Sequence, residues 1–149
     1  FGFVGNNLPE CRIDFEREKT QEFSVPAYHT NSKGGVYWYS RKPISTAHSA
    51  KVIVSISGNF TPVYDPGGMG VTSMCMAYYL EPGDDMTSIQ SYLDSKLVRW
   101  ILRENKYTGW VSPVLGELPT MDKTRVWCDD EIYDYFGLTA QEREYVEGG

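Results

Sequence analysis

The first half of the chain carries short hydrophobic segments separated by glycine and proline, a pattern typical of β-strands joined by turns. A glycine-rich loop at residues 65–70 and the pair Gly58-Asn59 interrupt these segments, and the second of these turns predicts a β-hairpin. The opening stretch up to Thr30 has no sustained period, so we expect loops and one short helix there. Strands are predicted over Val36–Ser40, Lys51–Ser57, Phe60–Tyr64 and Val71–Leu80.

The hydrophobic period then changes from two to between three and four, which indicates an amphipathic helix. Its start is marked by Thr87 and Gln90, which have the spacing of a capping box. The pattern predicts one long helix over Ser88–Asn105. The apolar residues on its predicted buried face are Ile89, Tyr92, Leu93, Leu97, Trp100 and Ile101.

Two short helices are predicted near the end of the chain. The segment Asp130–Phe136 is followed by Gly137, a glycine in the position that often ends a helix. Thr139 and Glu142 form a second capping-box pattern before the segment Ala140–Glu147. These two segments predict a small helical hairpin.

Together these elements predict an α+β fold. We expect a mixed, mainly antiparallel sheet covered on one side by the long helix, with the short helical tail packed at its edge. The 149 residues fit a single domain, with an α+β body at residues 1–120 and a helical C-terminal tail at residues 121–149.

Nothing in the sequence indicates a membrane segment or a disulfide framework. The apolar stretch Val71–Leu80 is far shorter than the roughly 20 residues a membrane helix needs. Cys11, Cys75 and Cys128 are odd in number and far apart, so we expect reduced thiols in a soluble, cytoplasmic protein. The chain starts at Phe1 without a methionine or a signal-peptide pattern, so we expect it to be a piece of a longer protein.

The net charge of −6 is unevenly distributed along the chain. Residues 1–80 hold seven basic and six acidic side chains, whereas residues 81–149 hold seven basic and fourteen acidic ones. Eight of these acids lie between Asp122 and Glu147. The body is therefore nearly neutral, which leaves room for a local basic face despite the overall acidity. One cluster of basic residues is Lys96, Arg99, Arg103 and Lys106.

The sequence lacks the patterns that usually mark catalysis. His29 and His48 lie in polar, loop-like surroundings without cysteine or carboxylate ligands at metal-binding spacing, so we expect no metal. There is no Gly-x-Ser-x-Gly elbow and no active-site cysteine signature. The Gly67–Gly70 segment lacks the Lys-Ser/Thr of a phosphate-binding loop and precedes a strand, so we interpret it as a turn.

Two acidic clusters leave a nuclease open as an alternative. Asp84-Asp85 and Asp129-Asp130-Glu131 are paired carboxylates of the kind that bind magnesium. Both clusters also lie at predicted helix starts, where acids interact favourably with the helix dipole. We therefore expect these residues to cap helices, and we expect no enzymatic activity and no cofactor from this chain alone.

The remaining candidates suit surface recognition. The aromatic residues Tyr37, Trp38 and Tyr39 lie next to the basic residues Arg41 and Lys42, and such side chains stack on bases and bind phosphates. The alternative is that the aromatic rings face a core and the two cations simply face solvent. The next predicted hairpin adds the polar residues Lys51, Ser55, Ser57 and Asn59.

Several segments resemble the C-terminal specificity region of Type IIG and TaqI-like adenine-specific DNA methyltransferases. They are residues 51–58 (KVIVSISG), Tyr64-Asp65 with the glycine loop, residues 92–97 (YLDSKL), Leu118-Pro119 and residues 127–139 (WCDDEIYDYFGLT). Their order and spacing both agree with the family. The last segment is the most specific of them.

The resemblance implies a target recognition domain separated from its catalytic half. Methyl transfer in this family depends on an Asn/Asp/Ser-Pro-Pro-Tyr/Phe motif and a glycine-containing cofactor segment, and neither occurs here. The implied partners are double-stranded DNA and a methyltransferase catalytic domain, in the same chain or in another subunit. The implied function is DNA sequence recognition for a restriction-modification N6-adenine methyltransferase.

Chemistry and position suggest individual DNA contacts. We expect Lys33, Arg41, Lys42 and Lys51 to approach phosphates, and Tyr39, Asn59 and Thr72 to contact base edges in the major groove. Two alternatives stay open. One is a protein-interaction or scaffold module, and the other is a metal-dependent nuclease that uses Asp84, Asp85 or residues 129–131.

Overall fold

A computed structural model describes residues 1–5, 14–30, 35–56, 60–104, 115–116 and 118–148, which form an α+β fold of eight strands and four helices. The strands are β1 (Val4–Gly5), β2 (Phe15–Glu16), β3 (Val25–Thr30), β4 (Val36–Ser40), β5 (Lys51–Ser55), β6 (Val63–Asp65), β7 (Gly70–Val71) and β8 (Cys75–Tyr79). The helices are α1 (Met86–Leu93), α2 (Lys96–Glu104), α3 (Asp129–Phe136) and α4 (Ala140–Gly148).

The strands form two four-stranded sheets, where the sequence predicted one. The inner sheet has the order β1-β8-β5-β6 and is antiparallel throughout. The outer sheet has the order β2-β4-β3-β7, and its β3/β7 pair is parallel. The prediction of loops before Thr30 is therefore wrong, because this stretch contributes β1, β2 and β3.

One predicted strand joins the two sheets. The segment predicted as a single strand, Val71–Leu80, contains β7 of the outer sheet and β8 of the inner sheet. Thr72 makes the turn between them, because its carbonyl accepts the Cys75 amide at 3.2 Å and its hydroxyl oxygen accepts the Met74 amide at 3.3 Å. The chain thus crosses from one sheet to the other within three residues.

The inner sheet is the middle layer of the protein. Val52 and Val54 of β5 pack in the same core as the helices, whereas Ile53 packs with Tyr28 and Val71 of the outer sheet. Alternate residues of a strand point to opposite faces, so helices cover one face of the inner sheet and the outer sheet covers the other. All five residues of β5 are consequently buried.

The long helix predicted over Ser88–Asn105 is wrong, since two short helices occupy this region. Asp94 ends α1, and the Ser95 side-chain oxygen accepts the Val98 amide at 3.3 Å to cap α2. The predicted capping box at Thr87 is also wrong, because the N-cap of α1 is Asp85. One buried apolar stripe continues across the break between α1 and α2, and this continuity is why the sequence predicted a single helix. The stripe consists of Ile89, Tyr92, Leu93, Leu97, Val98 and Leu102.

The two C-terminal helices are confirmed. Gly137 ends α3 with a left-handed φ of 67°, and Thr139 and Glu142 form the predicted capping box of α4. Ile132 and Val146 belong to the same buried core as α1 and α2. Among the described residues, no helix combines the length and apolar character needed to cross a membrane.

A buried ion pair links β5 to β6 and to the glycine loop. The ammonium of Lys51 is fully buried and donates to Asp65 Oδ2 at 2.6 Å, to the Met69 carbonyl at 2.7 Å and to the Ala47 carbonyl at 3.3 Å. Asp65 also accepts the backbone amides of Gly67, at 3.0 Å, and of Met69, at 3.3 Å. Both charges are thereby neutralised and hydrogen-bonded inside the protein, as buried charges require.

Replacing Asp65 with asparagine should lower the free energy of unfolding by roughly 3–5 kcal/mol, because Lys51 then loses its counter-charge in the interior. Urea unfolding measures this change. The double variant Lys51→Met with Asp65→Asn should lose less than the sum of the two single variants, since it removes both buried charges together. If the losses of unfolding free energy in the two single variants simply added in the double variant, Lys51 and Asp65 would not be energetically coupled.

The Asp65 carboxyl also makes the stability of the protein depend on pH. Burial by itself raises the pKa of Asp65, but hydrogen bonds from Lys51, Gly67 and Met69 outweigh it and hold the pKa below the ordinary value of 3.8. Because the folded pKa is depressed, this stabilisation is present above pH 3.8 and is lost as the pH falls through the folded pKa. Thermal unfolding at decreasing pH should show a smaller pH dependence in Asp65→Asn than in the native protein.

Alanine at Gly67 should destabilise the protein by roughly 1–3 kcal/mol, whereas alanine at the adjacent Gly68 should change stability by less than about 0.5 kcal/mol. Gly67 has a φ of 122°, and a Cβ there would lie 2.6 Å from the His48 carbonyl oxygen. A Cβ at Gly68 would make only an ordinary contact with Asp65 Oδ1, at 3.7 Å. Equal unfolding free energies for the two variants would refute the close packing of this loop.

Candidate nucleic-acid interface

The end of β4 holds three of the residues predicted to contact DNA. Tyr39 is half-buried and lies opposite Glu16 of β2 and Pro26 of β3. Arg41 and Lys42 follow directly in the chain and are exposed. The structure therefore brings one aromatic ring and two cations to the same end of the outer sheet.

Asp14 holds these two cations in place. Arg41 Nε donates to Asp14 Oδ1 at 2.7 Å, and Lys42 Nζ lies 3.2 Å from Asp14 Oδ2. The side chains of Arg41 and Lys42 are still 38% and 67% exposed, so both charged groups reach solvent. Arg41, Lys42 and Asp14 together carry one net positive charge, and Glu22 Oε1, 4.0 Å from Arg41 Nη1, offsets that charge. A phosphate would have to compete with both carboxylates.

A second group of side chains lies around Trp38, and the sequence reasoning missed most of it. The guanidinium of Arg17 lies 5.0 Å from the centroid of the half-buried Trp38 ring. The His29 ring meets Trp38 edge-on, at 5.9 Å and an interplanar angle of 81°. Aromatic rings and arginine side chains are both groups on which proteins stack nucleotide bases.

His29 was considered only as a metal ligand, and Arg17 was not considered at all, because the opening stretch was interpreted as loops. His29 lies in β3, and its Nδ1 is 2.8 Å from the Thr72 hydroxyl. Val25, Tyr28 and Thr30, which are residue types common in strands, were the available signal, and Pro26 argued against a strand there. Pro26 is nevertheless accommodated within β3, opposite Tyr39.

Two of the predicted DNA contacts do not fit the structure. Lys51 is fully buried against Asp65, so its ammonium does not reach the surface where a phosphate would lie. Thr72 is 5% exposed, and its hydroxyl is engaged by His29 and the Met74 amide, so it presents no group to a base edge. Two other predicted contacts, Lys33 and Asn59, lie outside the described residues.

The two acidic clusters serve as helix caps and hydrogen-bond acceptors. Asp85 caps α1, and Asp84 accepts the Glu81 amide at 2.9 Å. Asp129 accepts the Lys96 amide at the start of α2 at 2.8 Å. Glu131 completes the cap of α3 through the Cys128 amide. Across the part of the chain that the structure describes, no group of three ligating side chains is arranged to hold a metal.

No family model, no curated protein and no solved structure matches this chain. The resemblance to methyltransferase specificity domains therefore stays a prediction that rests on the motifs themselves.

The Asp14 carboxyl should titrate below its ordinary pKa of 3.8, because the hydrogen bond from Arg41, followed by that from Lys42, favours its charged form. An NMR titration of the side-chain carboxyl measures this pKa. Arg41→Gln should raise it, and Lys42→Gln should raise it less. Arg103→Gln, which removes a cation from α2, serves as the control and should leave it unchanged. An unchanged pKa in Arg41→Gln would show that the pair does not form in solution.

Proposed function

We propose that this chain is the DNA sequence-recognition module of a restriction-modification N6-adenine methyltransferase. Methyl transfer belongs to a catalytic domain in the same protein or in a partner subunit. The module acts through its contact surface, and the duplex approaches the outer sheet at the end of β4.

The division of charge across the inner sheet carries this proposal. The helical side of the protein, in the described residues from Glu81 to Gly148, holds thirteen acidic and six basic side chains. The outer-sheet side, in described residues between 14 and 50, has four acidic and four basic side chains. Phosphates are repelled by the helical side and meet no net repulsion at the outer sheet. There Arg17 lies over the Trp38 ring, and Arg41 and Lys42 follow Tyr39, whose side chain points to the opposite face of the sheet from that of Trp38.

Contacts between the segments that resemble the specificity domains support the same proposal. The segments that resemble the specificity domains contact one another: Lys51 pairs with Asp65, and the Tyr64 hydroxyl donates to Asp94 Oδ1 at 2.7 Å. Further contacts join the remaining segments, as the Lys96 amide donates to Asp129 at 2.8 Å and the Tyr92 hydroxyl donates to the Pro119 carbonyl at 3.2 Å. These residues therefore form the framework. In such a module the parts that vary with DNA sequence lie elsewhere, which fits the outer sheet and its loops.

Binding to a labelled pool of random-sequence duplexes, followed by selection, tests this proposal. The native chain should bind with an affinity that falls as salt rises, and the selected duplexes should share a motif that contains adenine. The double variant Arg41→Gln with Lys42→Gln should bind more weakly and reduce the slope of log K against log[salt] by about 2, one for each lost phosphate contact.

A matched variant controls for the loss of charge. Arg99→Gln with Arg103→Gln also removes two exposed cations, but from α2 on the helical side. It should leave the salt slope nearly unchanged. If the two double variants weakened binding equally, the outer sheet would not be the binding face. Absence of duplex binding at low salt would instead favour the protein-interaction alternative.

A further inference from the structure

A groove between α2 and α4 combines aromatic rings with carboxylates. It has a volume of about 350 Å³ and is lined by Trp100 and Glu104 of α2 and by Glu144, Tyr145 and Gly148 of α4. The Trp100 and Tyr145 rings meet nearly at right angles, with centroids 5.9 Å apart. Tyr145 is 72% exposed, so most of its ring is accessible to solvent.

The spacing of residues along the helices produces this groove. Trp100 and Glu104 are four residues apart and share one face of α2, while Glu144 and Gly148 are four apart on α4. Gly148 has no side chain, and a Cβ built there would meet no atom within 4 Å. The groove is therefore open where the glycine faces it.

The lining selects a positive charge. The face of an aromatic ring attracts a cation through its quadrupole, and two carboxylates supply opposite charge. Arg103 Nε lies 3.9 Å from Glu104 Oε1, at the outer limit of an ion pair, with both side chains about half exposed. Nucleic acid is excluded from this groove, because the surrounding helical side carries the acidic excess of the chain.

We infer that this groove binds an arginine side chain presented by a partner polypeptide. A planar guanidinium stacks on Trp100 or Tyr145 and donates to Glu104 and Glu144, a geometry that a lysine ammonium matches less well. The site lies on the opposite side of the inner sheet from the proposed DNA face. The inference therefore does not depend on the proposed function, and both surfaces are free to be occupied at once.

Titration with a blocked Gly-Arg-Gly peptide, in the absence of DNA, tests this inference. The indole N–H signal of Trp100, assigned by loss in Trp100→Phe, should shift and saturate. The same peptide with citrulline, the neutral analogue of arginine, should bind at least about tenfold more weakly. Glu104→Gln with Glu144→Gln should weaken arginine binding by a similar factor, and Gly148→Leu should abolish it by filling the groove.

A matched double variant distinguishes the effect of the groove carboxylates from the effect of the overall negative charge. Glu81→Gln with Asp130→Asn removes two exposed acids away from the groove and should leave binding unchanged. Equal binding of the citrulline peptide would overturn the inference, as would full binding by Gly148→Leu. Shifts centred on the Trp127 indole instead of Trp100 would also overturn it, because they would place the peptide on α3.

Discussion

The fold depends on an inner sheet that is covered on both faces. Helices pack on one side through Val52 and Val54, and the outer sheet packs on the other through Ile53. This arrangement buries every residue of β5, including a lysine at its first position. A charge in that position is tolerated only because Asp65 stands opposite Lys51 in the register of β5 and β6.

The same layering separates the chemistry of the two surfaces. The acidic helices and the outer sheet never share a face, since the inner sheet lies between them. The outer sheet presents the Arg17–Trp38 stack and the Asp14 cluster of Arg41 and Lys42. The helical side presents the groove at Trp100 and a surplus of carboxylates. In our two proposals, the outer-sheet face contacts phosphates and the helical face binds a basic polypeptide.

Structural features set by neighbouring residues could be predicted from the sequence, whereas contacts between distant parts of the chain could not. The α3 and α4 helices were predictable because Gly137 and the Thr139 capping box act within a few residues. The break between α1 and α2 was hidden because the apolar stripe continues through it. The burial of Lys51 was hidden because lysine is rarely buried and its partner lies fourteen residues away on another strand. Arg17 was missed because the opening stretch was interpreted as loops and because its contact with Trp38 joins two separate segments of the chain.

Hydrogen–deuterium exchange of the native chain, with and without a selected DNA duplex, tests most directly whether the outer sheet is the recognition face. We expect DNA to slow exchange in β4 and through Arg41 and Lys42, and in residues 14–18 next to it. Exchange in α3 and α4 should not change, because these helices lie beyond the inner sheet. Slower exchange confined to α3 and α4, with none around β4, would contradict the account.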